Sequence, residues 1–350
     1  MKKINTKKRK PSKFSLVIKI TLLLAASLLI CATAYGVYLT KQAEHAANEA
    51  HEVLAGRDVP TQRVEKAALD NVSILFVGVD DSENRGQGSD HSRSDALILA
   101  TLNNATKTIK MLSIPRDSYV HIPSVGYKDR INHAHAFGGT LSTIETVEGL
   151  LDIPINYYVR MNFNAFIDVV DALGGIEAEV PYVLREKDEF DRNTVNLQPG
   201  LQHLNGSQAL ALARTRKQDS DIERGKRQQE ILTAIMKQAT SVGSITKYDD
   251  VIKAVGKNMK TNMTFDEMKS FLSYLSQGMP RIDSLTLAGT DDTSTGPYYY
   301  KLDENSLTET KDILKNHLGL KEESSSLTSG KTAIDNTTSE DQSSTKEPTQ

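Results

Sequence analysis

Residues 91–120, HSRSDALILATLNNATKTIKMLSIPRDSYV, decide how the chain is read. Two apolar runs, 96–102 and 109–114, flank an Asn-Asn-Ala-Thr-Lys-Thr cluster, so each fits a mostly buried strand and the pair reads as a hairpin. Antiparallel pairing sets the start of one strand beside the exit of the next. Arg93 and Asp95, ahead of the first strand, therefore share a rim with Arg116 and Asp117, which follow the second. Two readings stay open for those four charges: salt bridges that close a strand end, or a site that holds an anion.

Upstream, residues 70–80 contain VSILFVGV, a continuous apolar run rich in β-branched side chains and suited to a central strand. It ends in Gly78-Val79-Asp80-Asp81, and a polar loop leads back to Arg93, so Asp80 leaves one strand near the point where Asp95 enters another. Residues 41–56 are rich in Ala and Glu and end in Gly, a short helical stalk with His45 and His51 expected to face solvent. Residues 20–39 are twenty residues without a charge, about the length that spans a hydrocarbon core. A basic block precedes them, which sets residues 1–19 in the cytoplasm and everything beyond residue 39 outside. Ala32-Thr33-Ala34 resembles a signal-peptide cleavage site, but the apolar run continues past it, which favours an uncleaved anchor. Cys31 is the sole cysteine, so no internal disulfide forms, and bulky Ile30 ahead of it argues against acylation.

The formal net charge of −3 conceals an asymmetry, because eight Lys and Arg fall in residues 1–19 with no acid; the remainder carries −11. An acidic body argues against a nucleic-acid partner held by a basic field. At 350 residues and 38% apolar content the chain can bury a substantial core.

Downstream, the second loop carries Asn132-His133-Ala134-His135, a histidine pair with no third ligand nearby for zinc. Residues 140–151 have helical spacing and 155–161 read as a strand. Residues 162–173 place Phe163, Phe166, Ile167, Val170 and Leu173 on one helical face, stopped by Gly174-Gly175. A strand at 176–180 and a charged excursion at 183–196 follow. Residues 201–216 read as a turn and then a short helix from Ser207 that delivers Arg214 and Arg216 at its end. Ser220 and Glu223 have capping-box spacing, and Arg224 and Gln228 continue the inward stripe of Ile231, Leu232 and Ile235. Inward polar residues need partners, supplied by a buried bridge or by a bound anion. Two amphipathic helices over 245–277, a short strand at 285–287, a helix over 303–318 and a disordered Ser/Thr-rich tail at 321–350 complete the chain; Tyr298-Tyr299-Tyr300 reads equally as strand or ligand platform.

Asp80, Arg93, Asp95, Arg116, Arg214, Arg216, Arg224 and Gln228 thus lie at strand and helix ends of one domain. Converging arginines suit a ligand with more than one anionic group, and pyrophosphate fits. The acids among them need a reason, which Mg²⁺ supplies, since it binds through one or two carboxylates together with substrate phosphates. No GxxxxGK[ST] signature marks a nucleotide site.

The blocks SRSD, SIPRD, INHAHAFGG, VDALGGI, LNGSQALALARTR and DIERGKRQQ resemble, in order and spacing, the LytR-CpsA-Psr family of Gram-positive cell envelopes, over roughly residues 71–240. The resemblance implies an α/β fold, an α-β-α sandwich with a mixed central sheet and an apolar pocket for a polyprenyl tail. The implied domain order is a basic cytoplasmic tail at 1–19, one transmembrane helix at 20–39, a stalk at 40–68 and an extracellular catalytic domain at 69–320. It implies a phosphotransferase that moves an anionic glycopolymer, of wall teichoic acid or capsular type, from undecaprenyl pyrophosphate to peptidoglycan at the membrane. Asp80 and Asp95 would hold Mg²⁺; Arg93, Arg116, Arg214, Arg216 and Gln228 would bind the pyrophosphate, joined by Arg224 from the same block, with Asp95, Arg116 and Arg93 closest to the chemistry. Ala96 stands where the family commonly has Thr. A pyrophosphatase acting on the same lipid, and a non-catalytic lipid receptor, are the rival readings.

Overall fold

A computed structural model describes residues 13–55, 71–80, 92–188, 194–216, 220–241, 259–276, 278–294 and 296–320. The basic residues 1–12, the stalk beyond residue 55, the first helix expected within 245–277 up to residue 258, and the tail at 321–350 lie outside them.

The hairpin forms as its sequence dictates. Strands β2 (Ser94–Asn103) and β3 (Thr108–Ser113) pair antiparallel around the Asn-rich turn, with Ile98 opposite Ser113. Strand β1 (Val72–Val79) pairs antiparallel with β2 and parallel with a strand from the middle of the chain, Tyr157–Asn162, here β6. Short β4 (Tyr119–Ile122) and β5 (Tyr127–Arg130) form a separate ribbon beyond β3. Further along, β11 (Met259–Thr261) adds to β6 antiparallel and β12 (Arg281–Thr286) adds to β3 parallel, so the six-stranded order is β11-β6-β1-β2-β3-β12. The sheet is mixed.

Period-2 alternation buries both of its faces. Leu75, Val77, Leu97, Leu99 and Leu112 pack against α2 (His133–Leu151), through Ile144, Val147 and Leu151, and against the last helix, Glu304–Leu318, through Leu307 and Leu314. On the other face Phe76, Ile98, Ala100 and Met111 meet Leu232 and Met236 of α5 (Asp221–Ala239) and Phe271 of α6 (Phe265–Ser276). The last helix is therefore α7, and helices cover both sides of the sheet. A third cluster joins α3 (Phe163–Ala172) and α4 (Gly206–Arg214) to a small sheet of β7 (Ile176–Val180) and β10 (Gly200–Leu204).

Several expectations need correction. Residues 200–204 are strand β10, not a turn, and the charged excursion folds into a hairpin of β8 (Leu184–Lys187) and β9 (Thr194–Leu197). Helix α2 begins at His133, inside the expected loop, with non-helical backbone at Gly138 and at Gly139, whose φ of 62° suits glycine. Tyr299 and Tyr300 belong to β14 (Tyr299–Leu302), paired with β13 (Gly289–Asp292).

The N-terminal helix α1 runs Lys13–Ala50. Its end docks on the domain: Ala46, Ala47 and Ala50 are buried, Glu52 N donates to Thr261 O at 2.8 Å, and Tyr158 Oη donates to Glu52 Oε2 at 2.9 Å. His51 is not solvated as expected, for it pairs with Thr261 and its Nδ1 lies 3.2 Å from Met263 O. Residues 20–39 lie in α1, with the side chains of 20–25 and of Leu28 outside the described residues; among the described residues no helix is long and apolar enough to cross a membrane.

Candidate functional site

Ile114 N donates to Leu97 O at 2.9 Å, so the chain leaving β3 runs beside the start of β2 and brings Arg116 against Asp95. Asp95 is the second residue of β2, one step inside the strand rather than ahead of it. Arg116 Nη1 donates to Asp95 Oδ1, while its Nε lies 3.4 Å from Asp117 Oδ2. Across from them stands the first turn of α5, capped by Ser220, which accepts from Glu223 N at 3.3 Å. Arg224 sits on the inward face of α5 and is 6% exposed. One of its nitrogens donates to the carbonyl of Asp95 and another lies 3.3 Å from Asp221 Oδ1; Arg216 Nε approaches that same carboxylate at 3.8 Å. Three guanidinium groups and three carboxylates interlock at one rim.

The three carboxylates match the three guanidinium groups in number, yet burial still disfavours two of the cations. Burial pushes the Arg224 guanidinium down to about 10, and the positive charges of Arg216 and Arg116 add to that against the opposing pull of Asp95 and Asp221. Arg216 is lowered in the same way, by burial first and by Arg116 next. Arg224 Nε is buried without a hydrogen-bond partner. Desolvated guanidinium groups that repel one another are relieved by a bound polyanion.

Behind the rim opens a narrow apolar slot of about 150 Å³ between the sheet and helices α3, α4 and α5. Phe76, Ile98, Phe166, Leu210, Ile231 and Ile235 line its length, while Asp95, Arg214, Arg224 and Gln228 line its polar end. An apolar slot with charged residues in its lining suits a hydrocarbon chain with a charged head. Arg214 ends α4 with its guanidinium 4.8 Å above the Phe163 ring, and Gln228 Nε2 donates to Ala213 O at 3.1 Å. Two neighbours that the sequence reading passed over hold this geometry. Arg227 Nη2 donates to Thr215 O at 2.8 Å, which fixes the segment carrying Arg214 and Arg216, and Gln229 Nε2 donates to Met111 O at 3.0 Å, which fixes α5 on β3.

Asp95, Arg116, Arg214, Arg216, Arg224 and Gln228 are thus brought together. Arg93 is exposed one residue before β2, and Asp80 is buried one residue after β1; Val79 pairs with Ser94, which places both at the same sheet end. Asp80 and Asp95 lie toward the same end of adjacent strands and are hard oxygen donors of the kind Mg²⁺ takes together with phosphates, with one oxygen of Asp95 already accepting from Arg116. The histidine pair is otherwise employed: His133 Nδ1 lies 2.7 Å from Asp129 Oδ2, and His135 Nδ1 donates to Ser92 O at 2.8 Å. Among the described residues no group of three His, Cys, Asp or Glu converges as a metal cage. Asp221 was missed, although its spacing of three from Arg224 on one helix was a signal. Tyr298 lies in the hairpin that Tyr300 N ties to Asp117 O at 2.8 Å, beside the rim; burial first and Asp291 next raise its hydroxyl.

Comparison with known proteins identifies relatives of the chain. The model of the LytR_cpsA_psr family matches residues 37–316. The polyisoprenyl-teichoic acid–peptidoglycan teichoic acid transferase TagT of Bacillus subtilis is 39% identical over 324 residues, covering 91% of this chain and all of that protein. Among solved structures, TagT bound to LI-WTA has a TM-score of 0.64 at 37% identity, covering 77% of this chain and 100% of that one. TagT with bound octaprenyl pyrophosphate lipid has a TM-score of 0.60 at 35% identity, again covering 77% and 100%. The extent of these matches, together with the mixed sheet and the arginine rim, shows that the chain belongs to the LytR-CpsA-Psr family.

Proposed function

We propose that the chain is a phosphotransferase that moves an anionic glycopolymer, of wall teichoic acid or capsular type, from an undecaprenyl-pyrophosphate carrier to peptidoglycan. The observation that carries this reading is the apolar slot ending at Asp95, Arg214, Arg224 and Gln228, a match for a lipid whose tail is apolar and whose head is a diphosphate. The relatives whose names specify teichoic acid transfer support the acceptor and the polymer class. In this reading the tail lies in the slot, and Arg116, Arg214, Arg216, Arg224 and Gln228 grip the diphosphate, with Arg93 reaching it from the strand end.

Phosphoryl transfer asks for positioning and charge stabilisation more than for covalent chemistry by the protein. As the acceptor hydroxyl attacks the sugar-linked phosphorus, charge grows on the departing undecaprenyl phosphate, where fixed guanidinium groups meet it without reorganising. Mg²⁺ held by Asp80 and Asp95 would supply further charge neutralisation at the phosphates. Asp117 or Asp95 accepts the proton that the acceptor hydroxyl loses. The uncharged residues 20–39 anchor the chain in the cell membrane with residues 1–19 inside and the domain outside, which sets the site where the lipid-borne donor is concentrated.

The test incubates the full chain in detergent micelles with a polyprenyl-pyrophosphate glycan, Mg²⁺ and peptidoglycan, and follows the products by mass. Glycan joined to peptidoglycan is the expected result. Free phosphorylated glycan would replace transfer by hydrolysis, and unchanged, tightly bound lipid would make the protein a receptor.

A further inference from the structure

We propose that the groove between β4, β5, the end of α2, β14 and α7 seats the acceptor glycan strand, an anionic chain of sugars, and leads its hydroxyl to the rim. The inference rests on the phosphotransfer reading and extends it to a surface on the far side of the charged cluster. In an in-line displacement the nucleophile enters opposite the leaving group. The leaving lipid phosphate points into the slot past Asp95 and Arg224, so the acceptor approaches from the other side, where Arg116 and Asp117 run on into β4.

That side is built as one wall with the rim. Tyr300 N donates to Asp117 O at 2.8 Å, and Ser118 forms a bridge with Tyr300, which ties the β13–β14 hairpin to the residue that follows Arg116. The Tyr119 ring meets that of Tyr299 edge-on at 4.8 Å, and exposed Tyr298 is steadied by donating its hydroxyl to Asp291 Oδ1 at 2.8 Å. Sugar rings present apolar C–H faces that such aromatic surfaces receive.

From Tyr119 the groove extends for about 490 Å³, within the range of ligand-sized clefts. Its floor is apolar, with Val120, Leu150 and Leu302, and its edges carry Lys128, Lys301 and Lys311. Glu304 is the one acid among its lining residues, and Lys301 is partly compensated by Asp292 at 2.6 Å. Glu304 to Lys311 along α7 covers about 10 Å, enough for two sugar units in file. On a body that carries −11 beyond its first nineteen residues, a lysine-edged groove with a mixed polar and apolar lining is a local exception that selects a strand with apolar faces and pendant anions. Carboxylates on peptidoglycan and phosphates on the donor polymer share that chemistry; the in-line geometry assigns the groove to the former.

The experiment compares the full chain in detergent micelles with its Lys128→Glu/Lys311→Glu variant, by binding of uncross-linked peptidoglycan strands, binding of the polyprenyl-pyrophosphate donor, and KM for the strands during transfer. Expected is a loss of at least tenfold in strand affinity and a matching rise in KM, with donor affinity unchanged and the salt dependence of strand binding flattened. The neutral pair Lys128→Gln/Lys311→Gln guards against a folding effect and should give a smaller loss in the same direction. Unchanged strand binding in both variants overturns the assignment. So does groove-dependent binding of free phosphate-bearing polymer in place of peptidoglycan strands. Absence of transfer by the unaltered chain would strike the phosphotransfer reading, whereas strand binding still reads the groove by itself.

Discussion

Arg116 shows how much one side chain can carry. It donates to Asp95, approaches Asp117 at 3.4 Å and helps to depress Arg224, so it belongs to the charge balance of the rim rather than to any apolar cluster. Arg116→Ala should therefore lower transfer about 100-fold or more, the loss typical when a preorganised donor to a developing charge is removed. Its melting temperature should stay within a few degrees, and a fall of both together would make the residue structural. His317 makes the opposite case, a buried titratable group with no part in the site. Thr101 and Thr108 hydroxyls lie 2.8 Å from its two ring nitrogens, and burial pushes its pKa down to about 4. Neutral when folded, it takes a proton more readily when unfolded, so its contribution to stability is whole above pH 6.5 and is lost as the pH falls toward 4. Denaturant titrations at pH 7.5, 5.5 and 4 should show a loss of up to about 3 kcal/mol from this group. His317→Gln should flatten that slope; an unchanged slope would place the titration elsewhere.

At the scale of elements, α5 matters most, because it presents Arg224 to the rim and Gln228 to the slot while crossing the sheet closely. The crossing depends on Gly225: a Cβ there would stand 2.3 Å from Ser113 Oγ and 2.9 Å from Ser113 Cβ. Gly225→Ala should force α5 off β3, costing about 1–3 kcal/mol as overpacked contacts do, and weaken donor binding by shifting both polar residues. Ser113→Gly in the same chain removes both clashing atoms and should restore donor affinity, as measured by lipid binding; failure of that rescue would sink the packing explanation. Elements with strong patterning were legible in the sequence: β1, β2 and β3 as apolar runs buried on both faces, and α3, α5 and α7 as helices that each bury one clear face. Short β8, β9 and β10 were not, since their polar edge residues hide the alternation and their pairing is fixed by tertiary neighbours. The same holds for the site. Arginines at strand and helix ends announced themselves, whereas Tyr298 reaches the rim through a hairpin whose position no local pattern encodes.

For the molecule as a whole, the decisive feature is that the end of α1 is docked on the domain. Lys260 Nζ donates to Glu49 O at 2.9 Å, Glu52 N donates to Thr261 O at 2.8 Å, and three alanines of the last turns are buried. These contacts fall on β11, which borders β6, and β6 ends in Met161 and Asn162 at the wall of the slot. Removing the docked end would strip the sheet edge and loosen that wall. A chain shortened to begin at residue 55 forfeits the buried methyl groups and several hydrogen bonds, together roughly 3 kcal/mol. One shortened to begin at residue 40 keeps them. For a domain of this size the first should melt about 6–12 °C below the second and bind a polyprenyl-pyrophosphate lipid more weakly. Equal melting temperatures and equal lipid affinities would mean that the helix end rests on the sheet without supporting it.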